Sequence, residues 1–168
     1  MPMLLLGGAA VSLAKKVEEA LRREAEKSGS SIEELANEIL SEALVATLDP
    51  RDRAELRLEL CEKYLREAEE LLSKGDYAQA LEKGWGAAAQ VVKALAVKEG
   101  KALRSHRELS EFAGELADRL GDPELRHLWR TANVLHQNFY EGWMPPREVE
   151  LAVEDVKRLV GKLSGLLA

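Results

Sequence analysis

Apolar residues recur at helical spacing through most of the chain, and turn residues divide the pattern into segments. Met3 to Leu13 is a continuous apolar run with Gly7-Gly8 in its middle, and it reads as one short strand. Val17, Ala20, Leu21 and Ala25 then form one face of a helix over 15–27, and Ser28-Gly29-Ser30 stops it. Ser31 and Glu34 have capping-box spacing and open a second helix, whose apolar face is Ile32, Leu35, Ala36, Ile39, Leu40 and Ala43. A strand and two short helices make too thin a core to bury these faces alone, so residues 1–48 are expected to need a partner surface.

From Asp49-Pro50 onward every periodic segment reads as helix. Asp49 suits an N-cap and Pro50 the first helical position, which starts a helix running to Ser73. Gly75 breaks it. Asp76 caps the next helix, to about Lys98, which is rich in small residues: Ala78, Ala80, Gly84, Gly86, Ala87, Ala88 and Ala89. Small side chains allow close helix approach, so this helix is expected at the centre. Each interior Gly costs about 1 kcal/mol of helix propensity, which close packing or a bend would explain. Ser105 and Glu108 form a second capping box for a helix to about Leu120. Gly121-Asp122-Pro123 stops it and starts another helix to about Tyr140. A last helix starts near Pro146, and the aromatic segment 139–146 is expected to fold back over the bundle end. Short connections between long helices give an all-α, up-down bundle over 49–168.

Composition narrows the classes. The 168 residues carry a net charge of −6, with −3 on each side of residue 48, so neither part is a basic nucleic-acid-coating arm. One Cys, Cys61, excludes an intrachain disulfide and a multi-cysteine zinc site. No two His stand three or four residues apart, so no His-pair metal site is expected, and nothing in the sequence calls for a cofactor. There is no Gly-rich phosphate loop and no nucleophile elbow. No Lys or Arg precedes Lys15 and no 18-residue apolar span occurs, which leaves a cytoplasmic protein without a membrane partner as the expectation. Amides are scarce while Glu, Arg and Lys are abundant, a balance that suits a heat-adapted source. Three of the six amides nevertheless fall in Asn133, Gln137 and Asn138.

That cluster marks the candidate chemistry. Arg126, Arg130, Asn133 and Gln137 share one face of their helix, with His136 at its flank, a stripe suited to a phosphate or nucleotide or to a hydrogen-bond network. Lys83, Gly86, Gln90 and Lys93 form a second stripe on the central helix, and the binding reading sets Lys83 and Lys93 across a cleft from the first. His106 is placed to cap or pack at its helix start, and His127 to face solvent. Trp85, Trp129 and Trp143 are read as core and loop anchors.

Two resemblances add to this. Val11-Ser12-Leu13 leading into Val17-Glu18-Glu19-Ala20-Leu21, with Ser31-Ile32-Glu33-Glu34-Leu35 and Ile39-Leu40, resembles the ribbon-helix-helix fold. The resemblance implies that strands of two chains pair into a ribbon, hence a homodimer or higher oligomer. A DNA-reading ribbon presents polar side chains to base edges, and this strand offers only Ser12, so use as an oligomerisation module is expected over DNA recognition. Residues 51–168 resemble the HEPN superfamily, and the whole chain looks more closely like the archaeal PaREP family within it. The matching phrases are Leu60-Cys61-Glu62-Lys63-Tyr64-Leu65, Lys74-Gly75-Asp76-Tyr77, Ala80-Leu81-Glu82-Lys83-Gly84-Trp85-Gly86-Ala87-Ala88, Arg104-Ser105-His106 and Ala132-Asn133-Val134-Leu135-His136-Gln137-Asn138-Phe139-Tyr140-Glu141. The HEPN resemblance implies either an inactive interaction or regulatory partner or a metal-independent endoribonuclease. In the latter, Arg130 and His136 would be the catalytic pair, with Arg130 on the phosphorane and His136 moving a proton. Six residues of helix separate the two by about 120°, however, which favours the interaction protein as the first reading.

Overall fold

The computed structural model describes residues 3–28 and 31–167. The chain forms two compact units, Met1–Leu48 and Asp49–Ala168, and most of it is helical.

In the first unit the expected single strand is a hairpin. Strand β1 (Met3–Leu6) pairs antiparallel with β2 (Ala9–Ser12), in the register Met3 to Ser12 and Leu6 to Ala9. Gly7 and Gly8 both have left-handed φ, +56° and +86°, as a two-residue hairpin turn matched to strand twist requires. The first strand's ladder is therefore made within the chain, whereas the ribbon resemblance drew it from a second chain. The hairpin leads into α1 (Lys15–Ser28) and α2 (Ile32–Leu44), followed by a 3-10 turn at Val45–Thr47. Gly29 and Ser30 of the expected stop lie outside the described residues. Ser31 Oγ accepts from Glu34 N–H, and the Glu34 carboxylate accepts from Ser31 N–H, so the capping box is formed. Among the described residues of this unit only Leu4, Ala25 and Ala36 are buried, while Met3, Leu5, Val17, Ile39, Leu40 and Leu44 are exposed.

The second unit is a five-helix bundle: α3 (Pro50–Ser73), α4 (Tyr77–Lys98), α5 (His106–Leu120), α6 (Pro123–Glu141) and α7 (Pro146–Ser164). Its ends follow from the caps. Asp49, Asp76 and Asp122 accept backbone N–H groups of the first turns they open, and the Ser105–Glu108 box opens α5. Gly75, Gly121 and Gly142 adopt left-handed φ where α3, α5 and α6 stop.

Helix α4 packs against all four other helices and carries the largest share of the core. Its glycines explain how. A Cβ on Gly84 would stand 3.2 Å from Leu135 Cδ1 of α6 and 3.7 Å from Val153 Cγ2 of α7. A Cβ on Gly86 would stand 3.1 Å from the Tyr64 ring of α3. The propensity lost at the two positions is thus exchanged for close approach on two sides of the central helix. No helix among the described residues is long and apolar enough to cross a membrane.

Candidate functional site

The α4–α6 face collects the aromatic and titratable residues. Glu82 and Trp85, three residues apart on α4, look toward α6, where Asn133, His136 and Tyr140 recur at spacings of three and four. The Ser105 capping box fixes the first residue of α5 and delivers His106 to the same place. His106 stacks on Trp85, with ring centroids 4.5 Å apart and planes 6° from parallel. The His106 and His136 rings lie 4.5 Å apart, and His136 lies 5.2 Å from Trp85. Trp85 and Trp129 are buried and floor the site, and Trp129 Nε1 donates to Ser110 Oγ of α5 at 3.2 Å. Above this floor His106 is exposed, the His136 side chain is 26 % exposed and Tyr140 is 74 % exposed, its ring edge-on to His136 at 5.5 Å.

Both imidazoles are oriented by a neighbour. His136 Nδ1 lies 3.2 Å from Glu82 Oε2. An ionised carboxylate only accepts, so Nδ1 carries the proton and Nε2 is the free position. Asn133 Nδ2 donates to the Trp129 carbonyl at 3.3 Å, which turns its Oδ1 into the acceptor for His106. Partial desolvation of its ring against Trp85 holds the His106 pKa below its ordinary value, and the neighbouring His136 lowers it further, against the opposing effect of Asn133. A ring whose neutral form is favoured thus stands beside a ring held by a carboxylate.

The residues singled out in the sequence separate in space. The Lys83, Gly86, Gln90 stripe faces α3, not a cleft with α6. Lys83 Nζ lies 2.8 Å from Glu67 Oε2 and 5.1 Å from the centre of the Tyr64 ring, and Gln90 Oε1 accepts from Arg57 Nη1 at 3.1 Å inside the core. Burial would raise the Glu67 pKa, but hydrogen bonds from Lys63 and Lys83 outweigh it and hold the carboxyl below its usual value. Lys93 is half-buried on the same helix. Arg126 pairs with Asp118 and reaches the Gly114 carbonyl, tying α6 to α5. Gln137 donates to Glu141 at 3.1 Å. Arg130 is exposed, one turn before Asn133, and His127 is exposed as expected. Asn138 is buried and structural: its Oδ1 accepts from Met144 N–H at 3.0 Å and holds the 142–145 loop against the end of α6. Trp143 is an exposed loop residue donating to Glu141.

His106 is the site residue that sequence reasoning missed. The signal was present: a capping box fixes its position to the residue, and Glu82/Trp85 and Asn133/His136/Tyr140 repeat at helical spacing. What the sequence lacked was the packing of α5 that brings the two histidines together. Among the described residues no group of three or more His, Cys, Asp or Glu has the arrangement to hold a metal ion.

The model of the archaeal PaREP1/PaREP8 family matches residues 56–160, more than half of the chain. The chain belongs to this family. The match runs from α3 to α7 and includes every residue of the histidine site, whereas the first unit of this PaREP protein falls outside it. A crystal structure of a protein from Sulfolobus solfataricus is similar, with 32 % identity and a TM-score of 0.59 over 65 % of this chain and 97 % of that one. No curated protein matches the chain.

Proposed function

We propose that this PaREP protein is a cytoplasmic, homo-oligomeric interaction or regulatory protein whose HEPN-like bundle binds RNA, or the nucleotide at its end, at the α4–α5–α6 site. The observation that carries this reading is the His106–His136 pair, one ring exposed and the other half-buried, on a floor of two tryptophans. Tyr140 stands open beside it as a stacking surface, and Arg130 is exposed one helical turn from Asn133. Of the residues expected to bind, Asn133 enters the site directly. Arg126, Gln137, Lys83 and Gln90 take partners within the bundle or at its edge. A DNA repressor is a weaker reading. The hairpin carries only Ser12 for base edges, and Ser12 Oγ donates to Met3 Sδ at 3.1 Å. A metal-independent endoribonuclease built on Arg130 and His136 is the second reading, and the carboxylate that orients His136 favours it.

Fluorescence anisotropy with a labelled single-stranded RNA oligonucleotide tests binding. Tyr140→Ala should weaken it by about 1–3 kcal/mol, the usual worth of one stacked base. Arg130→Ala should reduce the salt dependence by about one ion. Absence of binding by the full chain at low salt refutes the reading. The oligomer is expected through the first unit, where a second copy would cover Ile39, Leu40 and Leu44. Light scattering should give a multiple of 18.6 kDa that falls on Leu40→Glu, and a monomeric wild-type chain counts against it.

A further inference from the structure

We propose that the outer face of α7 is a self-association surface, on which α7 of a second copy of this chain lies antiparallel. The surface belongs to the second unit alone, and neither RNA binding nor the first unit's contact enters it. Nothing among the described residues explains Gly161. A Cβ on Gly84, Gly86 or Gly114 would touch a neighbouring side chain within 4 Å. A Cβ on Gly161 would meet nothing within that distance, although Gly161 lies inside α7 and carries the same loss of helix propensity. Its φ is not positive, so its backbone does not call for glycine either. The room it leaves faces outward, where only another molecule can use it.

The residues that share this face identify that molecule. Arg147, Leu151, Glu154, Arg158, Gly161 and Gly165 are all exposed and recur at spacings of four and three, the seam pattern of a helix pair. The stripe is self-complementary about Val156. Two residues to either side stand Glu154 and Arg158, opposite in charge. Five to either side stand Leu151 and Gly161, opposite in size, and nine to either side stand Arg147 and Gly165. A two-fold axis at that point pairs each Glu154 with Arg158 of the other copy and sets each Leu151 into the gap over Gly161 of the other copy. It also brings each Arg147 to the C-terminus of the opposite helix, where the dipole favours a cation. A parallel pairing in register would instead set Arg158 against Arg158. Leu151 is 43 % exposed, the one large apolar side chain that α7 exposes among the described residues, and this seating covers it. Arg158 also pairs with Glu124 and Asp155, and Glu154 with Lys157. The Arg158 and Glu154 side chains are nevertheless 61 % and 64 % exposed, and surface pairs of this kind are weak enough to be shared with a second copy.

The test reads association by sedimentation of the full chain carrying Leu40→Glu, which takes the first unit's face out of the measurement. At low salt and high protein concentration this chain should form a dimer. Adding Glu154→Arg or Arg158→Glu sets like charges together twice and should weaken the dimer by about tenfold. Mixing the two charge variants should restore it, because every reversed charge then meets its opposite, and damage to the fold would not be repaired this way. Gly161→Gln should weaken the dimer as well, while thermal unfolding stays unchanged or rises, since the position is open in the single chain. A Leu40→Glu chain that stays a monomer overturns the proposal and leaves the first-unit contact standing. A dimer indifferent to the charge variants and to Gly161→Gln also overturns it. A wild-type chain that is itself a monomer overturns both surfaces.

Discussion

Gly84→Ala tests whether close helix packing, rather than a bend, keeps a glycine in the middle of α4. An added methyl gains about 1 kcal/mol of helix propensity. It would also stand 3.2 Å from Leu135 Cδ1, tighter than ordinary van der Waals contact. Leu135 and Val153 are fully buried, so neither can swing into solvent to make room. Overpacking of this kind costs about 1–3 kcal/mol, and the net change is a destabilisation of about 0–2 kcal/mol. Leu135→Ala removes the obstructing atoms and alone should cost about 2–5 kcal/mol, because it leaves a void in the core. In that background the new methyl at position 84 enters the void, and Gly84→Ala should become stabilising by about 1 kcal/mol or more. The two substitutions should therefore couple by about 1–3 kcal/mol in a double-mutant cycle read from guanidinium unfolding curves. Equal stabilisation by Gly84→Ala in both backgrounds would refute the packing argument.

His106 makes stability depend on pH. Its folded pKa lies below the unfolded value, so the folded state binds fewer protons in the interval between them. Its contribution is complete above the ordinary histidine pKa of about 6.5 and is lost as pH falls from there through the folded value. Thermal unfolding should show that decline in wild type and a smaller one in His106→Gln, and equal declines in both would count against it. Asn138→Ala should destabilise by about 1–3 kcal/mol, since it leaves the half-buried Met144 N–H without its acceptor and removes the clamp on the 142–145 loop. Hydrogen exchange should show faster exchange confined to that loop, and unchanged protection there would rule the clamp out.

The bundle was legible because its punctuation is chemical. Asp49-Pro50, Gly75-Asp76, the Ser105–Glu108 box, Gly121-Asp122-Pro123 and Pro146 each act through a local backbone bond or dihedral, and the helices begin and end beside them. The central place of α4 was legible for a similar reason, since only small residues permit approach on several sides at once. The hairpin was misread because an apolar run of eleven residues was given more weight than Gly7-Gly8. A Gly-Gly pair flanked by apolar residues is a two-residue turn signal in its own right, and local turn chemistry prevailed over the continuity of the run.

The candidate site was legible only in halves. Helical phase brought Asn133 and His136 to notice, but it also placed Arg126, Gln137 and Lys83 among them, because phase says which residues share a face and not which helix that face meets. Lys83 and Gln90 turn to α3 and take Glu67 and Arg57 as partners, while Glu82, one residue before Lys83, turns to α6 and meets His136. One position on a helix is a rotation of 100°, enough to move a charge from the α3 interface to the histidine face. His106 shows the complementary limit. Its position on α5 was fixed by the capping box, yet its neighbours depend on how α5 lies over Trp85 and Asn133, a tertiary relation that no local pattern encodes. The scarce amides then acquire distinct roles: Asn138 closes the bundle end, Gln137 braces Glu141, and Asn133 orients the His106 imidazole.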